Sequence, residues 1–171
     1  MLWLFATHRD PPAMTLPVPN YALYGETNAS PMPDILHCES IAERSRVHDG
    51  AIKAHRHDGL TQVLYARSGT IRATLEDATF DLHGQFLILT PSLSIHGFDI
   101  SRDIDGWVLT LPDAGLREIL APAPQLLSAL SQPQVIQAGQ SPLPFARVDD
   151  LFEHIASEFS GSHPARQFVL R

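Results

Sequence analysis

The chain is poor in cysteine, in basic residues and in long apolar runs, and each shortage excludes something. Its single cysteine, Cys38, leaves no internal disulfide to form, so an intracellular, cytoplasmic setting is expected. Cys38 itself reads as a small apolar core residue. Twelve Lys and Arg stand against 19 Asp and Glu, for a formal net charge of −7. A nucleic-acid-binding domain needs a basic face to displace counterions, and no basic run or Lys/Arg-clustered helix is present. No apolar run is long enough to span a bilayer. "MLWLFATHRD" begins apolar but is too short for a signal core and lacks a basic flank. What remains is a chain of 171 residues, 44% hydrophobic and 18% charged, enough for one domain with a real core.

The prolines divide it. Six of the fourteen lie in residues 1–33, too dense for a helix or a central strand, so this part reads as an extended arm. Met14 is an alternative start. From residue 34 to 112, short runs rich in Val, Ile, Leu, Thr and aromatics alternate with Gly, Asp, Pro and Ser. About eight strands are predicted, including "ILHCESIAERSRV", "AIKAHRH", "TQVLYARSG", "TIRATLE", "ATFDLH", "QFLILTP", "SIHGFDI" and "GWVLTL". None is read as an amphipathic helix, and strands at this spacing suggest a sandwich or barrel. Residues 113–171 change period. "DAGLREIL" begins on Asp113, a fair N-cap, and "QLLSALS" is a second short helix. "ARVDDLFEHIASEFSG" is the clearest, with Val148, Leu151, Phe152, Ile155 and Phe159 at helical spacing and Gly161 to close it. "HPARQFVLR" opens a further helix with Pro164 in its first turn, and the chain stops inside it.

The polar residues that carry chemistry fall in "HDGAIKAHRHDGLTQVLYARSG" and "GQFLILTPSLSIH". Strand alternation puts His55 and His57 on one face, with Lys53 sharing their parity. Gln62 follows across a turn at Asp58-Gly59. Alternation then turns Gln62, Leu64 and Ala66 inward and Val63, Tyr65 and Arg67 outward. His96 inward implies Phe98 inward. Buried histidines with ordinary hydrogen-bond partners are the bland alternative. Several imidazoles and an amide projecting into one lumen would each need an internal partner, which favours a polar-lined pocket for a small molecule. Arg44, Arg46 and His48 read as decoration of an exposed strand.

These two groups resemble the cupin signature. Its first half is matched by Gly50, His55, His57, Gln62 and Gly69, and its second by Gly84, Pro91 and His96. The resemblance implies a mainly β, jelly-roll barrel followed by C-terminal α-helices. Metal-binding cupins usually carry Glu where this chain has Gln62. A neutral amide is a weaker ligand than a carboxylate, so no metal and no other cofactor is expected. A metal-dependent cupin enzyme acting on a small aromatic or polar substrate is the alternative.

"YALYGE", "LHCESIAERSRVHDGAIKAHRHDGLTQVLYARSG" and "HGFDISRDIDGWVLTLP" together are similar to the amino-terminal half of AraC/XylS-type transcription regulators, and within them to PobR-like activators of aromatic catabolism. That resemblance implies an effector-sensing barrel rather than an enzyme, with no catalytic residues. It also implies a homodimer through the C-terminal helices, and DNA contact only through a domain this chain does not contain. The implied effector is a small hydroxylated aromatic acid, 4-hydroxybenzoate above others. Lys53 or the histidines would meet its carboxylate, and Phe98 and Trp107 would sandwich its ring, Trp107 because the family tends to place pocket aromatics there. The implied ligand-binding set is Lys53, His55, His57, Gln62, His96, Phe98 and Trp107.

Overall fold

Alternating short strands give two sheets that face one another across an apolar core. A computed structural model describes residues 18–21, 36–47 and 49–161. The first sheet runs, in spatial order, β1 (Asn20–Tyr21), β3 (Ala51–His57), β8 (His96–Ile100), β5 (Thr70–Leu75) and β6 (Ala78–His83). The second runs β10 (Gln134–Gln137), β7 (Phe86–Thr90), β4 (Leu60–Ser68), β9 (Asp105–Pro112) and β2 (His37–Ser40). Neighbours pair antiparallel except β1 with β3. Leu64, Ile71, Phe86, Ile88, Phe98 and Val108 meet between the sheets. The result is mainly β, two facing sheets as the strand spacing predicts, with helices after them as the change of period beyond residue 112 predicts.

Two elements differ from the sequence reading. Residues 41–47, taken as strand, form helix α1 (Ile41–Val47) directly after β2. The Glu43 N–H donates to Ser40 Oγ at 3.1 Å, so a serine at the strand end offers the backbone a helical start. Ile41 is then driven fully into the barrel core. The second difference is β10, which falls within the part predicted to be helical. It pairs with β7 and covers that edge of the sheet.

The helices after the barrel are α2 (Asp113–Leu120), α3 (Pro124–Ala129) and α4 (Phe145–Ser160), close to their predicted bounds. On α4, Phe145 and Phe152 are buried, and Val148, Ile155 and Phe159 pack with them against Tyr65, Leu109 and Trp107 on the outer face of the second sheet. Leu151, which the sequence reading grouped with them, is turned about 100° from Phe152 and is 61% exposed. Arg67 ties the helix down, bonding Asp149 at 2.7 Å, Glu153 at 2.6 Å and Asp105 at 3.2 Å, with its guanidinium 4.7 Å from the Trp107 ring centroid. The Tyr65 hydroxyl donates to Asp149 at 3.0 Å. The bond from Arg67 holds the Asp149 carboxyl below the usual carboxylate range. Gly106 is where β9 passes the irregular stretch of β4. Its φ is +149°, and a Cβ there would lie 2.0 Å from the Tyr65 carbonyl oxygen, so only glycine fits. No helix among the described residues is long and apolar enough to cross a membrane. The predicted helix at Pro164, most of the arm 1–33 and His48 lie outside the described residues.

Candidate functional site

The site begins with a departure from strict alternation on β3. Ile52 pairs with Phe98 and His55 with His96, so three residues on β3 advance against two on β8. The extra residue is a β-bulge, and it resets which side chains face inward. Ile52, His55 and His57 face the interior, whereas Lys53 and Ala54 are both exposed. Lys53 therefore does not line the lumen, contrary to the parity argument. Gly97 lies opposite the bulge, and a Cβ there would sit 3.1 Å from both Ala54 N and Ile52 O. A glycine inside a strand pattern, as in "HGFDI", is the signal that points to such a close approach.

The bulge brings three histidines together. His55, His57 and His96 are all buried, with ring centroids 4.2 Å apart for His55–His96, 4.8 Å for His55–His57 and 5.3 Å for His57–His96. One ring nitrogen from each lies within 4.8 Å of those of the other two. Each Nδ1 faces a backbone carbonyl: Lys53 at 2.8 Å for His55, Tyr21 at 2.9 Å for His57 and Ser94 at 2.9 Å for His96. A carbonyl only accepts, so Nδ1 carries the proton in all three, and in the neutral ring Nε2 keeps its lone pair. His96 Nε2 is buried with no hydrogen-bond partner among the described residues. Burial, helped by the neighbouring His55, pushes the His96 imidazolium down to about 3, so the ring is neutral at ordinary pH.

Three buried imidazoles, each steadied by a carbonyl and each with one ring nitrogen within 4.8 Å of the other two, make a donor set suited to a divalent transition metal. The residues present fit such an ion. An orphaned acceptor in a buried site is costly, and coordination relieves it.

Gln62 and Phe98 are buried where alternation placed them. The Gln62 amide donates to Thr110 Oγ1 at 3.2 Å, and the Phe98 ring centroid is 5.6 Å from that of His96. Gln62, Phe98 and Thr90 line an internal cavity together with Arg44, which the sequence reading had left on an exposed strand. Arg44 instead projects from α1, with its guanidinium 2.5 Å from Glu39. Arg46 is exposed, as expected. The space in this cavity is about 10 Å³, enough for one water and far below the ~300 Å³ and upward of ordinary small-molecule pockets. Trp107 is not in the lumen. On β9, Val108 faces the inner core and Trp107 faces α4, stacking on Tyr65 at 6.2 Å and on Phe152 at 6.3 Å. Its register partner on β4 is Tyr65, already predicted to face out, which is the clue to its side.

Sequence reasoning missed Tyr21. Its carbonyl bonds His57, and its ring lies 5.4 Å from that of His55.

No protein-family model matches the chain, and no curated protein matches its sequence. Several solved structures are similar to it in fold. KdgF from Halomonas sp. is 22% identical, with a TM-score of 0.34, over 36% of this chain and 58% of that one. The cupin domain of Cnp3 from Schizosaccharomyces pombe is 11% identical, with a TM-score of 0.35, over 42% and 53%. A cupin-2 domain protein from Shewanella frigidimarina is 15% identical, with a TM-score of 0.35, over 48% and 74%. The chain thus spans less than two thirds of the first two. These likenesses are of fold; what the site does is argued from its own residues.

Proposed function

We propose that the barrel is a small-molecule-binding cupin whose anchor is a divalent transition-metal ion held by His55, His57 and His96. The observation that carries this is the buried convergence of three ring nitrogens, each ring oriented by a carbonyl, with His96 Nε2 left otherwise unpartnered. It replaces the metal-free pocket expected from Gln62. With an amide in the carboxylate's place, the histidines leave the ion's full charge uncompensated, which favours an anionic ligand. When bound, the ion supplies Lewis acidity toward a ligand oxygen. The chain's own part is to hold each ring by a carbonyl and to set Phe98 beside His96, where Phe98 also lines the small adjoining cavity with Gln62 and Arg44.

Binding rather than turnover is the reading we adopt. The buried polar side chains among the described residues are Ser, Thr, Gln and His, and the Glu39 carboxylate near the cavity is engaged by Arg44 rather than turned to a ligand. The finer proposal is the sensing of a hydroxylated aromatic acid such as 4-hydroxybenzoate, within a regulator of the AraC/XylS type. Phe98 offers a ring face, Gln62 and Thr90 polar groups, and Arg44 takes the place proposed for Lys53. Such a ligand requires the inner cavity to open. The regulator reading adds DNA contact through residues outside this chain. It also adds self-association through α4, whose exposed large apolar residue is Leu151.

The metal test is direct. Wild-type protein purified without chelator should hold about one equivalent of Zn²⁺, Ni²⁺, Co²⁺, Mn²⁺ or Fe²⁺, and His96→Ala should hold none. The reading fails if chelator-stripped wild type takes up no Co²⁺, Ni²⁺ or Zn²⁺, or if His96→Ala binds as the wild type does. The effector test is calorimetry of 4-hydroxybenzoate against metal-loaded wild type and Phe98→Ala. Binding should be detectable in the first and weakened roughly tenfold in the second, the scale of one lost aromatic contact. Equal affinity in both, or no binding at all, removes the aromatic-acid assignment, and conversion of the acid to a product would make the protein an enzyme.

A further inference from the structure

β1 is only two residues long, yet it meets the three-histidine cluster at several points. Asn20 pairs with Arg56 and Tyr21 with His57 in parallel register. The Arg56 N–H donates to the Pro19 carbonyl at 3.1 Å. His57 Nδ1 donates to the Tyr21 carbonyl at 2.9 Å, across 36 residues of sequence. The Tyr21 ring lies against His55, with centroids 5.4 Å apart and planes tilted by 39°. His55 and His96 take their carbonyls from within their own strand and from the loop just before it, Lys53 and Ser94. Of the three carbonyls that meet an Nδ1, the one at His57 comes from a remote segment.

That arrangement has an energetic consequence. So short a strand is marginal by itself, since two residues bring few ladder bonds against the entropy of closing a long loop. An imidazole whose Nε2 donates its lone pair to a cation becomes a stronger donor at Nδ1–H, and the bond to a carbonyl behind it strengthens. Whatever strengthens the bond between His57 and Tyr21 holds β1 in place. By the reciprocity of linked equilibria, β1 in place favours the cation by the same factor.

We propose that the strand Asn20–Tyr21 is a clasp on the three-histidine centre, orienting His57 through its carbonyl and covering His55 with its ring, so that docking of this segment and loading of the centre are coupled. This rests on the metal reading above. Tyr21 acts here as a positioning residue, working through His57 and His55.

The test uses the full chain and two independent readouts. Hydrogen exchange at the Arg56 amide reports β1 directly, because its acceptor is the Pro19 carbonyl. Adding Co²⁺ or Zn²⁺ to chelator-stripped protein should slow that exchange about tenfold to a hundredfold, the range typical of a partner that orients a ligating histidine. Tyr21→Gly, which removes the ring and loosens the backbone that carries the carbonyl, should weaken Co²⁺ binding by about the same factor and alter the visible ligand-field band of the Co²⁺ form, whereas Tyr21→Phe, which keeps the ring and the backbone restraint, should leave both near wild type. A purely structural loss elsewhere in the fold would not move that band. If wild type binds Co²⁺ normally while the Arg56 exchange rate and the Tyr21→Gly affinity stay unchanged, the clasp is wrong and the metal centre stands. One change without the other also overturns it, since the coupling must run both ways. If wild type binds no metal, the centre fails and the clasp with it.

Discussion

Saturating Zn²⁺ or Ni²⁺ will raise the melting temperature of chelator-stripped protein by roughly 10 °C, and His96→Ala will abolish the rise. A ligand that binds only the folded state stabilises it by mass action, by about 4 kcal/mol at a thousand times its dissociation constant. For a chain of this length each kcal/mol moves the midpoint by about 2–4 °C, giving about 8–16 °C. The metal-free fold holds the His96 acceptor buried and unpartnered, with the rings of His55 and His57 closely packed around it. Coordination turns that liability into a gain the unfolded chain cannot match. Exposed carboxylates elsewhere bind cations weakly and do not depend on His96, so the variant separates the two sources. An unchanged midpoint in wild type, or an equal rise in His96→Ala, would sink the prediction.

How much of this was legible beforehand depends on the physics of each part. β4 to β9 were readable because alternation of apolar and polar residues is interrupted by Gly, Asp and Pro at the turns, and that pattern is local. His55, His57 and His96 were readable as one inward group for the same reason. Lys53 was misplaced because a bulge changes parity by a single residue and leaves its trace on the neighbouring strand, at Gly97, rather than on its own. Trp107 was misplaced because the resemblance, rather than pairing with the outward-facing Tyr65, was used to orient it, and the face it occupies is apolar too because α4 covers it. α1 was hidden by a competition between Ser40 and the ladder for the same backbone. β10 has two Gln in four residues and acquires its strand character from the β7 edge it pairs with. The carbonyl of Tyr21 has no side-chain signature at all, and no sequence pattern marks a backbone oxygen 36 residues from the imidazole it holds.

Acid will begin to destabilise the metal-free protein well above the pH at which carboxylates protonate. In the unfolded chain His96 takes a proton near its ordinary value of 6.5, whereas in the folded chain burial and the neighbouring His55 delay this to about 3. Between those limits the unfolded state binds a proton that the folded state refuses, so stability is fully present above about pH 6.5 and drains away as the pH falls toward about 3. The loss should be about 2 kcal/mol by pH 5 and about 3 kcal/mol by pH 4. His37, lowered by burial and by the Arg44 cation, adds to it with the same sign. Asp149, held low by Arg67, is separable: its stabilisation is present above the ordinary Asp value of about 3.9 and fails only as the pH drops below that. His55, His57 and the Arg44 cation all lie close enough to His96 to oppose a further positive charge there. Urea titrations of chelator-stripped protein from pH 7.5 to pH 4 read this directly. His96→Leu should flatten the profile between pH 6.5 and pH 5 by about 2 kcal/mol relative to wild type, because an apolar side chain of similar bulk has no proton to refuse. A wild-type profile that is already flat over that interval, or a variant that keeps the same slope, would show that His96 is not the group that drives the acid transition.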